Sequence, residues 1–210
     1  MWERKGIKLA TKLKVFKAVV ITTLLYGCET WTLYRRHERL MHQFHLRSLR
    51  SIMSIRWQDK IPDTEVLKRA DSPHITTIMR KAQLRWAGHV TRMSDSRIPK
   101  QLFYGELHQG KRTVGGQRKR YKDSLKSSLK EFSIPTQNWE ALNLNRSQWR
   151  SHITQGATSA DSAKTCTAEA KRAARKASAT DSNVPLHQCP LCGRDFRALL
   201  QSTPPYIYMI

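Results

Sequence analysis

The segment Ser72–Met93 restricts the fold more than any other, because its apolar residues recur at the spacing of an α-helix. Ser72 is a favourable N-cap and Pro73 suits the first helical position, so a helix is predicted to begin there. At about 100° per residue, seven apolar side chains fall within an arc of roughly 120°. They are Ile75, Ile78, Met79, Ala82, Trp86, Val90 and Met93. This pattern predicts one buried face, with Trp86 in the core.

A cationic stripe of Lys81, Arg85 and Arg92 runs beside that arc. A second helix is predicted over 34–55, with one basic side and two apolar faces. The basic side holds Arg36, Arg39, Arg47 and Arg50. One apolar face holds Leu40, Met41, Phe44, Ile52 and Ile55, and the other holds Leu46, Leu49 and Met53. Such a helix is expected between two packed layers, with its basic edge open to solvent.

Further helices are predicted over 7–26, 62–70 and 117–132, and Gly27 is a natural stop for the first of them. The buried face of that first helix is predicted to hold Leu9, Leu13, Phe16, Val20 and Leu24. The segment 98–107 fits a turn followed by either a short helix or a strand. Trp139 and Trp149 mark a last packed element.

The predicted fold class is mainly α: a small helical bundle followed by a basic, alanine-rich, partly disordered tail. The bundle is expected over 1–150. Large apolar residues then become scarce, so 151–185 is predicted to be a linker or a single helix rich in Ala, Lys and Arg. Residues 186–210 form a tail with an incomplete Cys-x2-Cys motif.

The chain carries 38 Lys and Arg against 16 Asp and Glu, a formal net charge of +22. The excess is spread along the chain, since 1–60 holds 13 basic and 4 acidic residues and 61–135 holds 16 and 7. A sustained excess of this kind points to a polyanionic partner. Nucleic acid is the first candidate, an anionic membrane surface the second, and a basic surface without a partner the third.

The chain is expected to be intracellular, in the nucleus or the cytoplasm. Its four cysteines lack the spacing of a disulfide framework. Basic residues precede the apolar run Ala18–Tyr26 as in a signal peptide, but Leu25 stands where a small residue is needed. The run is also shorter than the roughly 20 residues that span a bilayer, so no membrane association is predicted.

Six segments of the chain resemble, in the same order, the region that follows the palm in reverse transcriptases of LINE-type (non-LTR) retrotransposons. They are 6–33, 37–61, 64–71, 84–93 (LRWAGHVTRM), 99–102 (PKQL) and 115–130. The resemblance implies a thumb-like and connector region that grips a primer–template duplex or the element's RNA. The expected partner is therefore the phosphate backbone of RNA or DNA. The palm and fingers, a further possible partner, are missing from this chain.

The chain is not expected to be an enzyme. The family's RNA-templated DNA synthesis requires clustered carboxylates that hold two metal ions, and this sequence has no Asp-Asp pair. None of the family's catalytic residues maps onto a position here, and no endonuclease domain is present. The expected activity is non-specific RNA or DNA binding. The alternatives are a non-functional relic of a decayed element and a basic protein-interaction module.

The segment Lys111–Lys122 adds six cations and Tyr121. It suits a phosphate clamp with one aromatic stack, a nuclear import signal or a flexible basic loop. The candidate nucleic-acid-binding residues of this segment are Lys111, Arg112, Arg118, Lys119, Arg120 and Lys122.

Cys189 and Cys192, followed by Phe196, resemble the opening of a Cys2His2 zinc finger, with which the family often ends. No histidine follows, and Pro204 and Pro205 stand where the ligand helix should run. Two thiolates do not complete a structural zinc site, so no cofactor is predicted and zinc is kept as a minor alternative.

Overall fold

The computed structural model describes residues 6–105, 114–116, 118–180, 187–188 and 195–196. The prediction of a mainly α fold is confirmed. The α-helices are α1 (Leu9–Val15), α2 (Thr22–Leu24), α3 (Arg35–Ile52), α4 (Asp63–Arg69), α5 (Ile75–Thr91), α6 (Ile98–Tyr104), α7 (Tyr121–Glu131), α8 (Trp139–Leu144) and α9 (Arg146–Thr180). A π-helical segment, Phe16–Ile21, joins α1 to α2, and 3-10 turns occupy Cys28–Thr30 and Trp57–Asp59.

The first predicted helix is interrupted by the π-helical segment, and this changes the face that it buries. A π-helical turn takes more residues than an α-helical turn, so the residues that follow are rotated about the axis. Phe16, Ile21 and Leu25 are buried, whereas Leu9 is 47% exposed. Gly27 ends the helical stretch with φ 70°, a left-handed conformation that suits glycine.

Two hydrophobic clusters make up the core. The first, the N-terminal cluster, draws its buried residues from positions 16–79 and centres on Phe16, Leu49 and Val66. The second, the C-terminal cluster, draws its buried residues from positions 84–160 and centres on Leu84 and Trp149. Helix α5 contributes to both clusters because it packs against α3 near one end and against α6, α7 and α8 further along.

The prediction of a single buried face on α5 is wrong in part. Leu84 and Ala87 are fully buried although both lie outside the predicted arc, and Gln83 is fully buried as well. Ile78, Ala82, Trp86 and Met93, assigned to the buried arc, are only partly buried. A helix with neighbours on several sides buries more than one face, whatever the apolar pattern of its own sequence.

The N-terminus of α5 is capped from a distant helix. The helix begins at Ile75, and Asp161 on α9 accepts hydrogen bonds through Oδ1 from the His74 backbone N–H (2.9 Å) and from Thr77 Oγ1 (3.0 Å). Ser72, the predicted cap, instead has its Oγ 3.3 Å from Nε2 of the buried His45. The predicted start was therefore too early, because a side chain remote in sequence supplies the cap.

Helix α9 begins inside the bundle. Trp149, Ile153, Ala157 and Ala160 on its early turns are buried in the C-terminal cluster. The chain divides into two compact units, Met1–Ala168 and Glu169–Ile210. Within the second unit, β1 (His187–Gln188) pairs antiparallel with β2 (Asp195–Phe196). The predicted domain boundaries at 150/151 and 185/186 stay predictions.

Among the residues that the structure describes, no helix is long and apolar enough to cross a membrane.

Candidate nucleic-acid interface

An open cleft of about 480 Å³ lies between α5 and the first turns of α9. Four arginines line it together with a histidine, two tryptophans, an alanine and one carboxylate. The lining residues are Arg85, Arg92, Arg146, Arg150, His89, Trp86, Trp149, Ala82 and Glu29. We call this feature the arginine cleft.

Helix α5 supplies the first wall through residues spaced by a helical turn. Arg85, His89 and Arg92 follow each other at intervals of four and three residues, so they share one face. Arg85 and His89 are exposed, and Arg92 is partly buried. Trp86 packs its ring edge-to-face against Tyr121 (5.6 Å between centroids) and Phe103 (6.2 Å). These contacts hold the Trp86 ring in place beside the arginines of the cleft.

A fully buried amide orients Arg92. The Arg92 guanidinium donates through Nη1 to the backbone oxygen of Asn143 (3.0 Å) and to Asn143 Oδ1. Asn143 in turn donates through Nδ2 to the backbone oxygen of Gly88 (3.0 Å) and to Thr91 Oγ1. A side chain anchored on both sides loses little further freedom when it binds an anion, so Arg92 is preorganised.

Gly88 makes this arrangement possible because it lets α8 and α9 approach α5 closely. A Cβ atom at this position would overlap Trp149 Nε1 and would come within 2.7 Å of Asn143 Oδ1. The Trp149 indole donates to the backbone oxygen of Leu84 (3.2 Å), which fixes α9 against α5. The close approach therefore brings both walls of the cleft together.

The N-terminus of α9 forms the second wall. Asn145 Oδ1 accepts from the backbone N–H groups of Ser147 (3.1 Å) and Gln148 (3.3 Å), which caps the helix. Arg146 and Arg150 are exposed and lie one turn apart on the side that faces the cleft. The positive end of a helix dipole adds to the charge of the arginines, so this wall favours anions.

The positive charges are close enough to oppose one another. Partial burial lowers the pKa of Arg92 from its ordinary value, and the charges of Arg146 and Arg150 lower it further. Among the described residues that line the cleft, Glu29 is the one carboxylate. An anion in the cleft would relieve the repulsion between the arginines.

The structure brings Arg85 and Arg92 of the predicted α5 stripe into the cleft, whereas Lys81 does not line it. On α3, Arg36, Arg39 and Arg47 are exposed. Arg50 is engaged differently: its Nη2 donates to Asp63 Oδ1 (2.7 Å) and to the backbone oxygen of Ile61 (2.7 Å). Arg50 thus joins α3 to the start of α4.

The predicted basic loop is described only in part, and Lys111 and Arg112 lie outside the described residues. Lys119 donates through Nζ to the backbone oxygen of Leu33 (3.1 Å), and its ammonium lies 5.5 Å from the Tyr34 ring centroid. Arg118 and Arg120 are exposed and Lys122 is partly buried. Lys119 therefore fastens the start of α7 to the segment before α3.

Sequence reasoning missed Arg146 and Arg150, half of the arginines in the cleft. Their spacing of four residues, on either side of Trp149, was a signal that both lie on one helix next to a packed aromatic. Their pairing with α5 depends on a contact between positions more than fifty residues apart, which local patterns do not reveal.

The predicted zinc ligands Cys189 and Cys192 lie outside the described residues. Within the part of the chain that is described, no group of three His, Cys, Asp or Glu side chains is placed to hold a metal ion.

Comparison with known proteins shows similarity to a transposon-derived protein. The chain is 26% identical, over 159 residues, to an uncharacterized transposon-derived protein of Caenorhabditis elegans. The match covers 70% of this chain and 55% of the relative, so the chain spans about half of the relative's length. No family model and no solved structure matches. The similarity supports a transposon origin for the chain.

Proposed function

We propose that this chain binds RNA or DNA through the phosphate backbone, at the arginine cleft, without catalysis of its own. The observation that carries the proposal is the convergence of four arginines from two helices on one cleft, against one carboxylate among the described residues that line it. Phosphate contacts by arginine give affinity without reading sequence, so little base preference is expected. The net charge of +22 would steer a polyanion toward the chain over long distances.

We further infer descent from the region after the palm of a LINE-type reverse transcriptase. The ordered motifs resemble that family, and the transposon-derived relative agrees with the broader origin. Sequencing of the genomic locus tests this descent. An upstream reading frame that encodes a palm with paired aspartates supports it, and neighbouring sequence unrelated to any polymerase contradicts it.

Binding is tested by fluorescence anisotropy of the full chain with a labelled single-stranded RNA, a single-stranded DNA and a duplex. The logarithm of the binding constant should fall linearly with the logarithm of salt concentration, by about 0.7 for each phosphate contact to a single strand. Absence of binding to all three probes at low salt would overturn the proposal.

A pair of charge-matched variants locates the site. R85Q/R146Q/R150Q removes three cations from the cleft and should reduce the salt slope by about 2 and weaken binding by roughly tenfold or more. K68Q/K126Q/K130Q removes the same charge from exposed lysines on α4 and α7 that do not line the cleft. Equal losses in the two variants would show that overall charge, and not the cleft, binds the nucleic acid.

Cooperative thermal unfolding separates this proposal from the reading of the chain as a non-functional relic. A packed core that contains a capped helix such as α5 should melt in one sharp transition. A broad, non-cooperative loss of helicity together with absent binding would favour the relic.

A further inference from the structure

Helix α3 presents an apolar strip of Leu40 and Phe44 to solvent, so the prediction that this face is buried is wrong for these two residues. Leu40 is 52% exposed and Phe44 is 42% exposed, although they lie one turn apart as in a packed helix face. The buried side of α3 instead holds His45, Leu46, Leu49 and Ile52. The exposed strip is therefore separate from the face by which α3 packs into the bundle.

Leu40 of this strip also lines an apolar groove of about 440 Å³, and Phe44 follows it on the helix outside the groove lining. Leu40 and Met41 form one side of the groove, Trp31 and Leu33 line it from the segment before α3, and the fully buried Met79 of α5 lies beneath them. Methionine and leucine side chains accept aliphatic groups of varied shape, because a thioether chain adjusts at little cost.

The wall opposite α3 is held in place by hydrogen bonds of its backbone. Gln83 Nε2 donates to the backbone oxygen of Trp31 (2.9 Å), and the Leu33 N–H donates to Ser124 Oγ (3.3 Å). Lys119 adds a bond to the backbone oxygen of Leu33. The groove is therefore preformed, and a ligand need not order its wall on binding.

Charge decides what kind of ligand fits. Arg36 and Arg47 flank the apolar strip, since they lie one helical turn from Leu40 and Phe44 respectively, and Arg39 is exposed on the same helix. Among the described residues, none of these three arginines has a carboxylate within 4.0 Å in an ion pair, whereas Arg50 on the same helix is paired. The groove thus combines apolar contacts with an uncompensated cationic rim.

We propose that this α3 groove binds an amphipathic helix of a partner protein, whose apolar residues enter the groove and whose acidic residues meet Arg36, Arg39 and Arg47. Apolar anchors spaced by one helical turn match the strip, and flanking carboxylates match the rim. A nucleic acid would use the arginines but has no aliphatic group for Leu40 and Met41. The two basic regions of the molecule therefore serve two different ligands.

The probes are fluorescein-labelled peptides of about 18 residues, roughly five helical turns, with Glu on the polar face and Leu, Ile, Phe or Met at the anchor positions. Each has a scrambled version of the same composition, in which the apolar residues no longer share a face. At least one helical peptide should bind the full chain about tenfold more tightly than its scrambled version. No preference across the whole panel would overturn the proposal.

Two variants place the peptide on α3. L40S/F44S should weaken binding of the helical peptide about tenfold, and R36Q/R39Q/R47Q should weaken it and flatten its salt dependence. The matched control L102S removes a leucine that is 77% exposed on α6, and it should leave the affinity unchanged. Equal effects of L40S/F44S and L102S would contradict the assignment.

RNA affinity distinguishes this inference from the proposed nucleic-acid function. L40S/F44S should leave RNA binding within about twofold of the parent chain, because neither side chain lines the arginine cleft. A loss of RNA affinity in this variant, with RNA competing against the peptide, would show that the groove is part of the nucleic-acid site and would overturn the proposal.

Discussion

The two hydrophobic clusters share α5 but contain different kinds of polar group. The N-terminal cluster includes the fully buried His45, whose ring stacks on Phe16 at 6.0 Å with an interplanar angle of 8°. The C-terminal cluster combines aliphatic residues with Phe103, Trp139 and Trp149, and the Trp149 indole donates to the Leu84 backbone oxygen across the contact between α9 and α5. One cluster contains a group that titrates, and the other depends on close helix contacts.

The two clusters should therefore unfold for different reasons. Protonation of a buried histidine opposes folding of the N-terminal cluster, because a charge would lie in an apolar surrounding. Added volume opposes folding of the C-terminal cluster, because Gly88 and Gly156 lie where a Cβ atom would collide with a neighbouring element. Acid and added volume should therefore act first on different clusters.

The largest effect of a single substitution is expected at Gly88. G88A places a Cβ atom onto Trp149 and Asn143, so α8 and α9 must shift away from α5. We expect a loss of about 3 kcal/mol in the free energy of unfolding, measured by urea denaturation of the full chain. The control G6A adds a Cβ with no atom within 4 Å and should leave the midpoint unchanged. Equal midpoints for the parent chain and G88A would show that the two walls of the cleft are not tightly joined.

Acid should act on the N-terminal cluster. Burial, followed by the charges of His42, His74 and Lys17, lowers the pKa of His45 to about 4. The unfolded chain binds a proton at His45 near pH 6.5, and the folded chain does not. The contribution of the neutral His45 to the free energy of unfolding is therefore fully present above pH 6.5 and is lost as the pH falls toward 4. His45 alone accounts for roughly 3 kcal/mol across this window.

Two other histidines shift in the same direction, so they add to the acid sensitivity. Burial is the main cause that lowers the pKa of His42 and of His74, while Asp63 and Asp161 oppose the shift. Urea denaturation at a series of pH values measures the effect, and H45F should flatten the profile between pH 6.5 and 4. An identical profile for H45F and the parent chain would remove His45 as the cause.

The sequence predicted most of the helices, because their apolar periodicity is local. Helices α3, α4 and α7 fall within the predicted ranges 34–55, 62–70 and 117–132. Errors arise where a remote element sets the local structure. Leu84 is fully buried because helices approach α5 from more than one side, and the cap of α5 comes from Asp161, 87 residues beyond His74.

The candidate site was predictable only in part for the same reason. Arg85 and Arg92 stand out as a stripe on one helix, whereas Arg146 and Arg150 join them through tertiary packing. Arg50 fitted the predicted α3 stripe equally well by spacing, but its partner Asp63 lies on the next helix. Spacing identifies which residues share a face, and packing decides what that face meets.

A smaller effect is expected at the remote cap of α5. D161A removes the acceptor for the His74 N–H and Thr77 Oγ1, next to the N-terminal cluster. A lost cap should reduce the free energy of unfolding by about 1.5 kcal/mol, measured by urea denaturation at pH 7. D95A removes an aspartate outside both clusters whose pair with Lys100 is solvent-exposed, and it should shift the midpoint far less than D161A. Equal midpoints for the two variants would show that water caps α5 equally well.

The smallest effect is expected at Arg50, which lies beside the N-terminal cluster. R50Q breaks the pair with Asp63 and the bond to Ile61, and partly exposed pairs of this kind contribute about 0.5 kcal/mol. The exposed neighbour Arg47 supplies the matched variant R47Q, whose urea midpoint should equal that of the parent chain.

RNA affinity should change by less than about twofold in R50Q, because its guanidinium is already engaged and lies outside the arginine cleft. A larger loss of RNA affinity in R50Q than in R85Q would place the nucleic acid on α3, and the division of the two basic regions between two ligands would fail.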